Sequence, residues 1–188
     1  MSTITPLKAI RLTHNVLLKQ LITKGRLIGI TIIGLLPILL GWVIGRQSDD
    51  PLEAGVGFVS YMGLSILIPI VALIFASASL GDTREDGTLV YLWLRPISRL
   101  SVSTGAWAAS VTIALPLTVI PMTISAILLD AGNSVITATI ITSILAVLAY
   151  SSLFVILGLI VKNPVLWGLA YIFAVSYTHL TLPTILRV

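Results

Sequence analysis

Apolar and polar positions fall along this chain in long blocks. Residues 27–45 form an uncharged apolar run, followed by 54–80, 104–129 and 135–161, and 164–174 opens a fifth. A helix needs about 20 apolar residues to cross a hydrocarbon layer roughly 30 Å thick. Within that layer a helix can satisfy its own backbone polar groups. The pattern therefore predicts an all-α, polytopic helical membrane protein: an N-terminal amphipathic interfacial helix, four complete spans and a truncated fifth. Pro37 lies in the first run, Pro69 in the second, and Pro116 and Pro121 in the third, all places for a bend. Gly34, Gly41 and Gly45 mark a face where a neighbouring helix can approach closely. The Pro116/Pro121 pair and the Ser/Thr run from Thr137 to Ser143 either line a path or tune helix packing.

Residues 4–24 are too mixed to span. On a helical wheel Lys8, Arg11, Asn15 and Lys19 share one arc, while Leu7, Ile10, Leu17, Leu18 and Leu21 share another with His14. This is the pattern of a basic amphipathic helix in the headgroup plane. Pro6 suits its first turn, after Thr5 as N-cap. Its role is either anchorage or docking of a partner.

Composition narrows the classes. The chain has 188 residues, 57% hydrophobic and 10% charged, with a mean hydropathy of +1.09. Soluble domains run at roughly 45–50% apolar and about 25% charged. A soluble globular domain is excluded, and so is disorder, which needs low hydrophobicity and high charge. The length accommodates roughly five to six spans. There is no cysteine, hence no disulfide or thiolate site. The pI near 9.7 does not point to nucleic acid, because the basic residues flank the apolar runs.

Lys8, Arg11, Lys19, Lys24, Arg26, Arg84, Arg95, Arg99 and Lys162 fall on one side of the predicted spans, against Arg46 on the other. The positive-inside rule places the N-terminus in the cytoplasm of a multi-pass cell-membrane protein. No acidic or basic residue falls inside a predicted span, which argues against a proton- or ion-coupled transporter. An intramembrane enzyme would need His, Asp or Glu in a span, or a motif such as H-E-x-x-H, and neither is present. Ser60, Ser65, Ser77, Ser79 and Ser151 read as helix packing and inter-helix hydrogen bonding.

The run from Val175 to Thr184, VSYTHLTLPT, resembles the translation of a transposon-end sequencing adaptor. Residues 175–188 are therefore expected to be non-native, with the natural sequence cut at Ala174 inside the fifth apolar run.

The most informative stretch is the loop 81–99, GDTREDGTLVYLWLRPISR. Glu85 and Asp86 precede a short apolar turn, where acids favour a helix N-terminus, and Thr88 can cap it. Residues 89–94 are too short to span yet almost wholly apolar, so they must bury against the spans or another protein. Pro96 stops the turn, and Ser98 can start the next helix. This loop resembles that of the ABC-2 type permeases, membrane subunits of ATP-binding-cassette exporters. Their pattern is close to E-R-E-x-G-T-L-x-x-L-L-x-x-P-[VI]-S-R. Arg84, Glu85, Gly87, Thr88, Leu89, Leu92, Pro96, Ile97, Ser98 and Arg99 match it at the same spacing. Thr83 departs from the first acid, with Asp82 one step earlier, and Trp93 replaces an aliphatic residue.

The resemblance implies six spans in all, with 4–24 as the elbow helix and 81–99 as the ATPase-coupling loop. It implies a separate ABC ATPase subunit as partner, carrying ATP and Mg, and a second permease subunit in a homodimer or heterodimer. It also implies a bacterial or archaeal inner membrane and outward movement of cargo such as drugs, lipids or glycans. The chain has no G-x-x-x-x-G-K-[ST] loop, so ATP hydrolysis is expected on the partner, with no cofactor in this chain. The alternative is a membrane scaffold or assembly protein without transport activity, keeping the same topology and docking loop.

Overall fold

The computed structural model describes the backbone of residues 5–87 and 98–185, and their side chains up to Val175 apart from Glu85. The described residues are helical throughout, joined by short turns. In chain order they are α1 (Pro6–Leu21), α2 (Lys24–Gln47), α3 (Pro51–Phe58), a π-helical segment (Val59–Leu67), α4 (Ile68–Glu85), α5 (Arg99–Leu128), α6 (Asn133–Ile160) and α7 (Pro164–Ile185). α3, the π segment and α4 run on as one long rod. Four helices are long and apolar enough to cross a membrane: Lys24–Gln47, Pro51–Arg84, Arg99–Leu128 and Asn133–Ile160. The fifth apolar run lies in α7, where Pro164–Val175 is shorter. The expected adaptor-derived stretch 175–188 falls, for its side chains, almost wholly outside the described residues.

Each span starts a few residues before its apolar run. Hydropathy marks the apolar length, whereas the helix takes in the polar residues ahead of it, and in the second and third spans it begins at a side-chain cap. Asp50 caps α3 through its carboxylate, which accepts from the backbone N–H of Leu52 and Glu53, and Pro51 occupies the first turn. Thr5 makes no side-chain cap on α1, although Pro6 sits where expected.

The second span is the centre of the bundle. Half of its apolar window is buried within the chain, against 22% for the first span. Ile68, Val71, Ala72, Phe75 and Ala76 of α4 are fully enclosed, packed mainly on α6 and α5. α2 sits at the edge, attached to α5 through small residues. A Cβ on Gly41 would stand 3.0 Å from Ser125 Cβ, and one on Gly45 would collide with Leu128 O. Gly34 faces Pro121. The predicted glycine face is real, and its partner is the third span.

α2 and α5 remain helical through Pro37, Pro116 and Pro121. The second span instead widens to a π-helix just ahead of Pro69. A proline ring crowds the carbonyl four residues earlier and offers no N–H. The wider turn relieves this, and Ile68 N–H bonds back to Gly63 O.

α1 fully buries only part of its predicted apolar arc, Leu17 and Leu21, against the bundle. It buries Ala9, Thr13, Leu17 and Leu21 and leaves Leu7 exposed. The reason is α5, on which α1 docks: Gly105 admits Thr13 so closely that a Cβ there would lie 2.7 Å from it. The buried stripe thus joins small residues, Ala9 and Thr13, at the close crossing with Leu17 and Leu21 one and two turns on.

Candidate functional site at the basic end of the bundle

The Lys- and Arg-rich end gathers the C-terminus of α4, the start of α5, the end of α6 and the starts of α2 and α7. Here α4 ends by a local device. Asp86 N–H bonds to Asp82 O, and Gly87 follows with φ +67°. That left-handed backbone costs any other L-residue about 1–2 kcal/mol. Gly87 is thus the stop that releases the chain into the loop. Ser98 restarts it: its Oγ accepts from Ser101 N–H at 3.2 Å and caps α5. Arg99 is the first residue of α5 and is exposed.

Arg84 does not project freely toward the loop. Its Nη1 donates to the carbonyls of Leu159 and Val161, each at 3.0 Å. These acceptors lie at the C-terminus of α6, where carbonyls lack helical partners and the helix dipole is negative. Arg26, at the start of α2, donates from Nη2 to Asp82 Oδ2 at 2.7 Å, both side chains 31% exposed. The loop base is therefore tied by one guanidinium to the first span and by another to the fourth. Glycines tighten the same region. A Cβ on Gly158 would stand 2.5 Å from Ser77 O, and Gly81 lies against Pro164.

The predicted coupling residues divide accordingly. Arg84, Gly87, Ser98 and Arg99 lie at this end on the two flanks of the loop. Glu85 is the last residue of α4, and Asp86 follows at its end, so the acidic pair closes the second span. Its expected place at the N-terminus of the apolar turn is not settled, because Thr88, Leu89, Leu92, Pro96 and Ile97 lie outside the described residues. Asp82, one step from the pattern's acid, pairs inward with Arg26. Arg26 itself, expected ahead of the first span, is inside its helix.

Sequence reasoning missed both clamps, since their acceptors are distant in the chain; no local pattern marks them. Of the span serines, Ser77, Ser79 and Ser151 are buried in helix packing as expected, while the hydrogen bonds of Ser60, Ser77 and Ser79 stay within their own helices. Ser60 and Ser77 donate to carbonyls of their own helices, Val56 O and Leu73 O. Ser151 Oγ, like Ser143 Oγ, is buried without a partner among the described residues. Ser110 does reach across, with Oγ 3.5 Å from Phe75 O, besides bonding Ala106 O in its own helix. His14 bridges helices, Nε2 lying 3.1 Å from Thr112 Oγ1. Among the described residues no cluster of His, Asp and Glu is placed to hold a metal ion. Comparisons with profiles of known families, with curated proteins and with solved structures return no match.

Proposed function

We propose that this chain is the membrane-spanning subunit of an ATP-driven exporter of the ABC-2 permease type. On this reading the basic end faces the cytoplasm, and residues 81–99 receive the ATPase subunit. The observation that carries the reading is the anchorage of the loop. Its flanks are fixed by Gly87 and Ser98, and its base is tied to the first and fourth spans by the Arg26–Asp82 pair and by Arg84 on the end of α6. A displacement of the loop is then passed to all four spans, two through the chain and two through these ties, as rigid-body rocking requires. ATP binding by the partner biases the two orientations only if it favours one of them.

Co-expression with an ABC ATPase encoded beside the gene tests this. Glu85→Ala combined with Leu89→Ala is expected to abolish co-purification. Arg84→Gln is expected to keep the ATPase bound while transport driven by ATP falls at least about tenfold, the loss of a charge-assisted contact being worth that much. Unchanged association in the double variant would count against the coupling role and favour a scaffold.

A further inference from the structure

We propose that the cleft between α4 and α7 holds one phospholipid whose headgroup carries a phosphate and a primary ammonium, as in phosphatidylethanolamine. A cavity of about 500 Å³ opens at the basic end. Arg26, Asp82 and Asn163 supply its polar side, and Ile74, Leu166 and Leu169 its apolar walls. A second, apolar space of about 330 Å³ continues the groove between Ile66, Ile70, Ile172 and Phe173. Leu169 lines both spaces and so marks the waist between them. On α4 the positions 70, 74, 78 and 82 recur at helical spacing, so the groove follows one face. At a rise of about 1.5 Å per residue, Ile70 lies roughly 18 Å and Ile66 roughly 24 Å from Asp82. One leaflet of hydrocarbon is about 15 Å deep. The groove thus has charge at its mouth, none along its length, and more than the depth of one leaflet, enough for an acyl chain.

The mouth selects the headgroup. Arg26 and Asp82 neutralise one another across 2.7 Å, yet their hydrogen bond uses one of five guanidinium donors and one carboxylate oxygen. A phosphate gains from Arg26 but is opposed by Asp82. A zwitterion with an ammonium that donates hydrogen bonds satisfies both. The trimethylammonium of phosphatidylcholine cannot donate, and phosphatidylglycerol leaves Asp82 uncompensated. Beside this cavity a separate recess of about 340 Å³ is bordered by Arg84 and Lys162 without an acid.

Native mass spectrometry of the full chain, released from nanodiscs of equal parts phosphatidylethanolamine, phosphatidylcholine and phosphatidylglycerol, tests the proposal. The expected result is retained phosphatidylethanolamine in excess of either competitor by about tenfold, the scale of one charge-assisted hydrogen bond. Asp82→Asn is expected to reduce it to the phosphatidylcholine level. Asn163→Ala leaves the ion pair intact and is expected to weaken retention in part. Leu169→Trp fills the waist and is expected to lower retention of all three lipids at unchanged oligomeric state and unfolding temperature. Equal retention of the three lipids, dominance of phosphatidylglycerol, a lipid-free dimer, or full retention in Leu169→Trp would each overturn it.

Discussion

Two residues hold left-handed backbone at helix ends, and they do so with different chemistry. Gly87 closes α4 at φ +67° without a side chain to strain. Asp130 closes α5 at φ +54°, with its N–H on Ile127 O and the next N–H, of Ala131, on Ala126 O. The same turn therefore carries a steric cost at one end of the bundle and not at the other. Substitutions there should act with opposite sign. Gly87→Ala is expected to destabilise by about 1 kcal/mol, lowering Tm in detergent by about 2–4 °C for a chain of this size. Asp130→Gly is expected to raise Tm by about 1–2 °C, since relief of strain exceeds the entropy that glycine adds to the unfolded chain. Thermal unfolding followed by circular dichroism measures both. At this scale Ser98 was legible in the sequence, because a cap is decided by neighbouring residues; Gly87 entered only as a member of the loop pattern, and its part in ending α4 came from the structure. Arg84 was legible as a member of a pattern and opaque in its contact, because its acceptors lie in another span.

Helices were legible as apolar blocks, and the reason is physical: in hydrocarbon the backbone must close its own hydrogen bonds. What the blocks leave open is which side of each helix packs. α2 and α6 are apolar nearly all round, so no stripe distinguishes lipid from protein, and the contacts are set by small residues. That makes glycines the informative positions. Gly158 meets the backbone of Ser77, which cannot yield, so Gly158→Leu should force α4 and α6 apart and cost about 3 kcal/mol or more. Gly29 has nothing within 4 Å of an added Cβ. Gly29→Ala is expected to be neutral or to stabilise by up to about 1 kcal/mol through helix propensity. An unchanged Tm in Gly158→Leu, or a loss of Tm in Gly29→Ala as large as that in Gly158→Leu, would show that close approach does not distinguish the two positions. The π-helical turn was invisible beforehand: Pro69 announced a disturbance, but three other span prolines sit in regular α-helix.

The described residues form an antiparallel bundle with most of their Lys and Arg at one end and Arg46, Asp49, Asp50, Glu53 and Asp130 at the other. Arg46 is held over the Trp42 ring at 4.1 Å, an arrangement suited to a membrane interface. Because the chain has no cysteine, orientation can be read without background. Asp49→Cys is expected to react with a membrane-impermeant maleimide on intact cells. Lys162→Cys is expected to react only after permeabilisation, and the reverse pattern would invert the proposed topology. The gathering of basic residues at one end was legible from the spacing of charges between apolar runs; the order of helices around the bundle was not, since pairing depends on contacts between segments far apart in the chain.

The docking of both α1 and α2 on α5 has a meaning in time. Ribosomes add about 5–20 residues per second, so α2 is complete several seconds before the last of its α5 contacts exists. During that interval the first span stands in the bilayer without the helix it packs on, and α1 waits beside it without the groove that takes Thr13. The N-terminal half of this protein is therefore assembled from behind, when the third span arrives. A nascent chain stalled before residue 99 would expose to quality control a pair of helices that are inserted but not yet folded together.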